Sequence, residues 1–173
     1  LALSSLDDDP QLILYGAVES FSIRKDQALN LMLRRYFSEV TFEFTDLTDL
    51  SHIHRIEVYA AHQPIVFRPF HVNRASEQHE ARSQVFYPSF NREDKTFRFH
   101  QFMGHTTMPI PLQYSVKIFN QQQEQIVEFA VGAAIRNNIK LHFIGELNHL
   151  VVQNPQFSVQ IYPDWDAMVD GSF

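Results

Sequence analysis

The stretch Val40-Thr41-Phe42-Glu43-Phe44 alternates apolar and polar side chains. Successive side chains of a β-strand point to opposite faces, so this alternation predicts a half-buried strand. The same pattern recurs along the chain and predicts five further strands. They cover Ile53–Ala61, Thr96–Phe102, Leu112–Ile118, Ile139–Phe143 and Phe157–Ile161.

Three helices are predicted around these strands. Asp9 is followed by a proline and is a suitable N-cap for a helix that extends to about Ser20. A second helix is predicted over 25–37, where apolar residues recur every three or four positions. Asn120 is a suitable N-cap for a third helix that continues to about Arg136. Helices at separate places among antiparallel strands predict an α+β fold, with two N-terminal helices and one later helix.

Composition divides the chain into three segments. Residues 1–45 are predicted as a helix–helix–strand unit, 46–105 as a loop-rich basic and aromatic segment, and 106–173 as a strand–helix–strand unit. The middle of the chain holds seven of the nine histidines. At 173 residues, the expected arrangement is one compact or partner-completed domain.

The overall composition excludes several classes of protein. The 14 basic and 20 acidic residues give a net charge of −6, which argues against a protein that coats nucleic acid. The absence of cysteine excludes thiolate zinc sites, Fe–S clusters, a cysteine nucleophile and disulfides, and it fits a reducing cytoplasm. No apolar run approaches the roughly 20 residues of a membrane-spanning helix, and no signal peptide is recognisable at Leu1.

The sequence offers few candidates for chemistry. It contains no GxGxxG, GxxxxGK[ST], GxSxG or HExxH motif. His52 and His54 lie two residues apart and, with His71 or Glu57 as third donor, would form a zinc or nickel site. No three-ligand spacing accompanies them, so surface histidines are the favoured interpretation. The carboxylate pairs Glu93-Asp94 and Asp164/Asp166 are read as turns rather than acid–base sites.

Arginine and aromatic residues are interleaved in the middle segment. They are Arg68, His71, Arg74, Arg82, Phe86, Tyr87, Arg92 and Arg98. This composition would suit RNA base stacking, but acidic residues interrupt it, and arginine with aromatics is also enriched at protein–protein interfaces. We favour an interface and predict Arg68, Phe70, Phe86 and Tyr87 as partner contacts.

In the N-terminal quarter, the apolar stretches at 12–17 and 28–37 followed by the strand pattern at Val40–Phe44 resemble TssG, a baseplate wedge subunit of bacterial type VI secretion systems. The resemblance is carried by residues 12–17, 28–37 and 40–44, within which Tyr15, Leu29, Leu33, Tyr36 and Phe37, together with Arg24 between them, match the family's pattern. Further matches follow in order. They are Lys95–Phe99, Asn120–Arg136 and Ile139–Phe143.

The resemblance implies a structural role in a contractile injection machine. TssG-like chains join TssF-like chains into wedges and contact TssK-like and TssE-like subunits, with no reaction, metal or cofactor. It also implies a bacterial cytoplasmic location, at the inner-membrane side of the secretion apparatus. Residues 109–119 and 125–128 additionally resemble tail-completion proteins of contractile phages. A tail-completion protein is therefore one alternative to the baseplate subunit. A histidine-ligated metal-binding or enzymatic domain is the other.

Overall fold

The computed structural model describes residues 14–15, 34–64, 81–103, 108–147 and 157–162. Every regular element in these ranges is a β-strand. The strands are β1 (Leu14–Tyr15), β2 (Arg34–Arg35), β3 (Phe37–Phe44), β4 (Arg55–Pro64), β5 (Ala81–Phe86), β6 (Thr96–Phe102), β7 (Ile110–Phe119), β8 (Gln125–Ile135), β9 (Lys140–Gly145) and β10 (Ser158–Tyr162). The described ranges contain no helix, so none that could cross a membrane.

Eight of the strands form two four-stranded sheets. Sheet I has the order β10-β9-β3-β6, and sheet II has the order β5-β4-β7-β8. All neighbours pair antiparallel except β3 and β9, which pair parallel. The two-residue strands β1 and β2 form a separate small pair. Sheet I thus combines strands from all three segments of the sequence.

The sheets pack face to face around an aromatic core. Phe99 of sheet I stacks on Phe86 of sheet II with ring centroids 4.4 Å apart, and it meets Tyr114 edge-on at 5.6 Å. Phe42 lies near the centre of sheet I and stacks on Phe97 and Phe143 at 4.6 and 4.8 Å. These contacts define a β-sandwich whose core the alternating residues of both sheets fill.

The predicted α+β class is therefore wrong for the part of the chain that the structure describes. The clearest error is the predicted helix from Asn120 to Arg136, which is mostly β8. Asn120 begins a turn instead, since its side-chain oxygen accepts the Glu124 N–H at 2.9 Å and Gln123 adopts a left-handed φ of 64°. Apolar residues at every second position from Val127 to Ile135 pair with β7, and this pairing prevailed over the helical spacing.

The two predicted N-terminal helices are wrong at every position that the structure describes. Leu14 and Tyr15 are paired in β1 rather than helical, and the predicted second helix overlaps β2 and the start of β3 at Phe37. The remaining positions of both predictions lie outside the described residues. All six predicted strands are confirmed, with bounds that shift by a few residues.

Candidate interaction surface

Strand β8 is the longest strand and the last one of sheet II. Its eleven residues include one charged side chain, Glu128, and no proline. Within the described ranges only β7 pairs with it, so its other side offers unpaired backbone groups. Edge strands are commonly protected by charge, proline or short length, and β8 has little of this protection.

Core-facing side chains of β8 are incompletely covered. The register places Ala133, Val131 and Val127 opposite the buried residues Leu112, Tyr114 and Ile118 of β7, hence on the inner face of sheet II. Nevertheless, all three β8 side chains are only partly buried, although they pack against the core. Among the residues that the structure describes, the sandwich is therefore open along this edge.

Strand β10 shows the same feature in the facing sheet. Val159 and Ile161 pair with Phe143 and Leu141 of β9, so they share the inner face with these core residues. Their side chains are nevertheless 44% and 47% exposed. We call β8 and β10 with their half-exposed inner residues the open edge.

One aromatic side chain closes part of the open edge. Phe157, directly before β10, stacks on Phe129 of β8 with ring centroids 4.9 Å apart, and it meets Phe42 edge-on at 6.2 Å. Gly145 of β9 gives this ring its space, because a Cβ there would lie 2.6 Å from the Phe157 Cδ1 atom. Phe129 is consequently buried, whereas Val131 and Ala133 beyond it stay partly exposed.

The opposite edge of sheet I is protected by polar residues. On β6, Arg98 and His100 alternate with buried phenylalanines, as expected of a guarded edge strand. Strand β5, on the same side of the sandwich, has only six residues. Of the four outer strands, β8 is thus the one best suited to pair with another chain.

The outer face of sheet I carries linked charges. Glu39 lies 3.7 Å from the Lys140 Nζ atom and 3.8 Å from the His100 Nε2 atom, while His142 Nε2 lies 3.0 Å from Glu43. Hydrogen bonding from His100, and then the charge of Lys140, hold the pKa of Glu39 below its ordinary value despite partial burial. These contacts order a solvated sheet face. Neither here nor elsewhere in the described ranges do three side chains of the types that bind metal ions lie close together.

The predicted partner contacts fall in different places. Phe86 is 9% exposed and stacks on Phe99 in the core, whereas Tyr87 is 62% exposed directly after β5. Arg68 and Phe70 lie outside the described residues. The role of these four residues at an interface stays a prediction.

The candidate metal ligands His52 and His54 are both exposed and flank the buried Ile53 in the loop before β4. Glu57, a proposed third donor, is 2.6 Å from the guanidinium of Arg55. Its carboxylate is thus held in an ion pair. His71, the other proposed donor, lies outside the described residues.

The carboxylates Glu93 and Asp94 belong to a tight turn. The Asn91 side chain accepts the Glu93 N–H at 3.0 Å and donates to Asp94 at 2.8 Å, and Lys95 follows with a left-handed φ of 51°. Such side-chain bonds are typical of a structural turn. Asp164 and Asp166 lie outside the described residues.

Sequence reasoning missed the open edge, because it assigned Val127, Val131 and Ala133 to a helix. The signal that could have revealed it is the uncharged run Phe129-Ala130-Val131-Gly132-Ala133-Ala134-Ile135. Read with a period of two, this run predicts a strand. Its exposure at a sheet edge, however, depends on the tertiary fold.

Comparison with known proteins adds little to this geometry. No protein family and no curated protein matches the sequence. Among solved structures, the chain is similar to a Bacteroides uniformis protein provisionally named a cell adhesion protein, with 9% identity and a TM-score of 0.45. The match covers 79% of this chain and 54% of that one.

Proposed function

We propose that this chain is a structural, protein-binding module of a multi-subunit assembly, and that it joins its partner through the open edge. The observation that carries the proposal is the half-exposure of Val159 and Ile161, whose neighbours on the same face form the core. Covering apolar surface contributes about 25 cal/mol per Å². A partner strand would cover these side chains and also pair with the backbone of β8.

The proposal includes no catalytic step, metal or cofactor. Two polar clusters of the described residues have a structural explanation. Asn91 organises the turn that carries Glu93 and Asp94, and Glu39 is held by its ion pairs on sheet I.

A narrower proposal follows from the sequence resemblance: a TssG-like wedge subunit of a type VI secretion baseplate in the bacterial cytoplasm. The strands of that resemblance at Val40–Phe44, Lys95–Phe99 and Ile139–Phe143 coincide with strands of the fold. Its helices do not, since Leu14 and Tyr15 are paired in a strand and residues 125–135 form β8. Co-expression with a TssF-like, a TssK-like or a TssE-like subunit tests this proposal. We expect stable co-purification with at least one of them, and recovery of the chain alone in every case would contradict it.

The general proposal is tested by crosslinking within the source cell. A photoreactive amino acid at Ala134, exposed on β8, should give a discrete crosslinked product. Val131→Lys places a charge on the inner face of β8 and should abolish that product, because inward-pointing charge blocks strand addition. Leu47→Lys, at a fully exposed loop position, is the matched control and should leave the product intact.

The outcome depends on the two lysine variants together. Loss of the product with Val131→Lys but not with Leu47→Lys supports an edge interaction. A product that survives both substitutions, or no product at all, contradicts it. Circular dichroism of the purified variants establishes that each retains the strand signal of the parent chain.

A further inference from the structure

The open edge has a pattern of side chains that is complementary to itself. Suppose that β8 pairs antiparallel with β8 of a second copy about a two-fold axis. In every cross-strand pair, the residue numbers of the two partners then add up to the same total. An even sum is needed to keep the two apolar inner faces on one side, because side chains alternate along a strand. Centring the pair on Gly132 meets this condition.

In this register the charges at the two ends of the strand match. Glu128 of one copy lies opposite Arg136 of the other, and the two-fold axis creates this pair twice. Both residues are exposed. Arg136 directly follows the last residue of β8, its number has the parity of the outer residues Ala130 and Ala134, and its carbonyl is held by the Ser38 hydroxyl at 2.7 Å. Opposite charges directly across an antiparallel pair are stabilising, and like charges are destabilising.

The residues between the two charge pairs also fit. On the outer face, Ala130 lies opposite Ala134 of the second copy, and Gly132 lies opposite its counterpart. On the inner face, the half-buried Val131 lies opposite Ala133. Phe129 lies opposite Ile135 of the second copy, and both side chains are buried in the core of their own sandwich. No charged side chain between the two charge pairs therefore opposes close approach of the two strands.

We infer that β8 pairs with β8 of a second copy of this chain, antiparallel and centred on Gly132, to form a continuous eight-stranded sheet. This inference rests on the proposed function and names the partner at the open edge. The same two-fold axis brings the second copy beside β10, where Val159 and Ile161 are half exposed. An isologous contact of this kind closes as a dimer.

Sedimentation equilibrium of the purified chain tests the inference. The molar mass should rise with concentration from 20.2 kDa to twice that value. Glu128→Arg alone places arginine opposite Arg136, and Arg136→Glu alone places glutamate opposite Glu128. Each variant should raise the dimer Kd about tenfold, because two pairs turn repulsive.

Mixing the two variants distinguishes this register from general charge effects. In an equimolar mixture both charge pairs are again of opposite sign, so the heterodimer should form with the affinity of the parent chain. The mixture also controls for the 3.8 Å ion pair between Lys117 and Glu128 within each monomer. If loss of this ion pair caused the weaker dimer, the mixture would remain weak as well. Failure of the mixture to restore the dimer would overturn the inference, as would a monomeric parent chain at its highest soluble concentration.

The crosslinking experiment separates this inference from the proposed function. If the parent chain is monomeric but Val131→Lys still abolishes the crosslink at Ala134, the second copy is the wrong partner and the protein-binding function stands. If the chain is monomeric and the crosslink is absent, both fail.

Discussion

At the scale of single residues, buried polar groups hold the parallel pairing of β3 with β9. Ser38 is fully buried, and its hydroxyl donates to the Arg136 carbonyl at 2.7 Å and accepts the Ile139 N–H at 3.3 Å. Asp46 performs the equivalent role at the other end of β9, where its carboxylate accepts the Leu147 N–H at 2.6 Å. Both side chains satisfy backbone groups about a hundred residues away, so they stabilise long-range pairing directly.

Replacement of Asp46 should therefore be costly. Asp46→Ala leaves the buried Leu147 N–H without this acceptor and should lower the free energy of unfolding by about 1–3 kcal/mol. Asp46→Asn retains a side-chain oxygen and should cost less. Urea denaturation of both variants provides the measurement, with Asp49→Ala in an exposed turn as control. Equal effects of the three substitutions would contradict this role of Asp46.

Glu39 should contribute to the acid sensitivity of the fold. Its pKa in the folded state lies below the ordinary value of 4.5, so ionised Glu39 stabilises the fold above that pH. This contribution is lost as the pH falls below 4.5 through the lower pKa of the folded state. Glu39→Gln should flatten the pH dependence of the unfolding free energy in that range. Thr41→Ser, on the same sheet face, is a control that does not ionise, and parallel curves for all three proteins would refute the prediction.

At the scale of elements, the ring of Phe157, directly before β10, joins this end of sheet I to β8 across the sandwich. Phe157 occupies the space above Gly145 and covers Phe129. The rest of the edge has no such cover among the described residues, and Val131 and Val159 stay partly exposed. Closure of this edge thus depends strongly on the fit of a single ring.

Gly145→Ala should disturb that fit. The added methyl group would lie 2.6 Å from the Phe157 ring, and overpacking of this kind typically costs about 1–3 kcal/mol. Phe157→Leu removes the clash together with part of the ring packing. The double variant should be more stable than the sum of the single effects predicts, because the two residues are in direct contact. Thermal unfolding of the four proteins measures this coupling, and strict additivity would exclude the contact.

At the scale of the whole molecule, the two sheets depend on a shared aromatic core. The ring of Phe42 in sheet I lies 6.2 Å, centroid to centroid, from the ring of Phe129 in sheet II. It also stacks on Phe97 and Phe143 within sheet I. The pairing of β3 with β9 joins distant parts of the sequence in sheet I. In sheet II, β5 and β7 are separated in the sequence by β6 of sheet I, so neither sheet is built from one continuous segment. The sandwich should therefore unfold as one unit.

Phe42→Ala tests this expectation. Loss of a fully buried phenylalanine should cost about 3–5 kcal/mol and should destabilise both sheets together. Hydrogen exchange of β3 and β7 amides, measured residue by residue, should show the same loss of protection in both strands. Leu47→Ala, at a fully exposed position, should leave exchange unchanged. Protection that decreased in β3 alone would show that the sheets unfold separately.

The sequence by itself predicted six of the strands and the residues of these strands that face the core. Alternation at Val40–Phe44 and from Leu112 to Ile118 directly reflects the two faces of a half-buried strand, so a local pattern was sufficient. It also excluded thiol chemistry through the absence of cysteine. The sequence did not determine the conformation of residues 125–135, because its apolar residues fit two periods. Ile126, Val127 and Ala130 have the spacing of a helix face. Val127, Phe129 and Val131 have the spacing of one face of a strand.

Only the tertiary structure decided what β8 became and what it exposes. Pairing with β7 from Ile110 to Phe119 satisfies the backbone groups on one side of β8, and long-range hydrogen bonding of this kind outweighs a local helical preference. The open edge is likewise invisible in sequence, because Val131 and Val159 carry the pattern of core residues. Their exposure follows from the strand order, which leaves β8 and β10 last in their sheets on the same side of the sandwich.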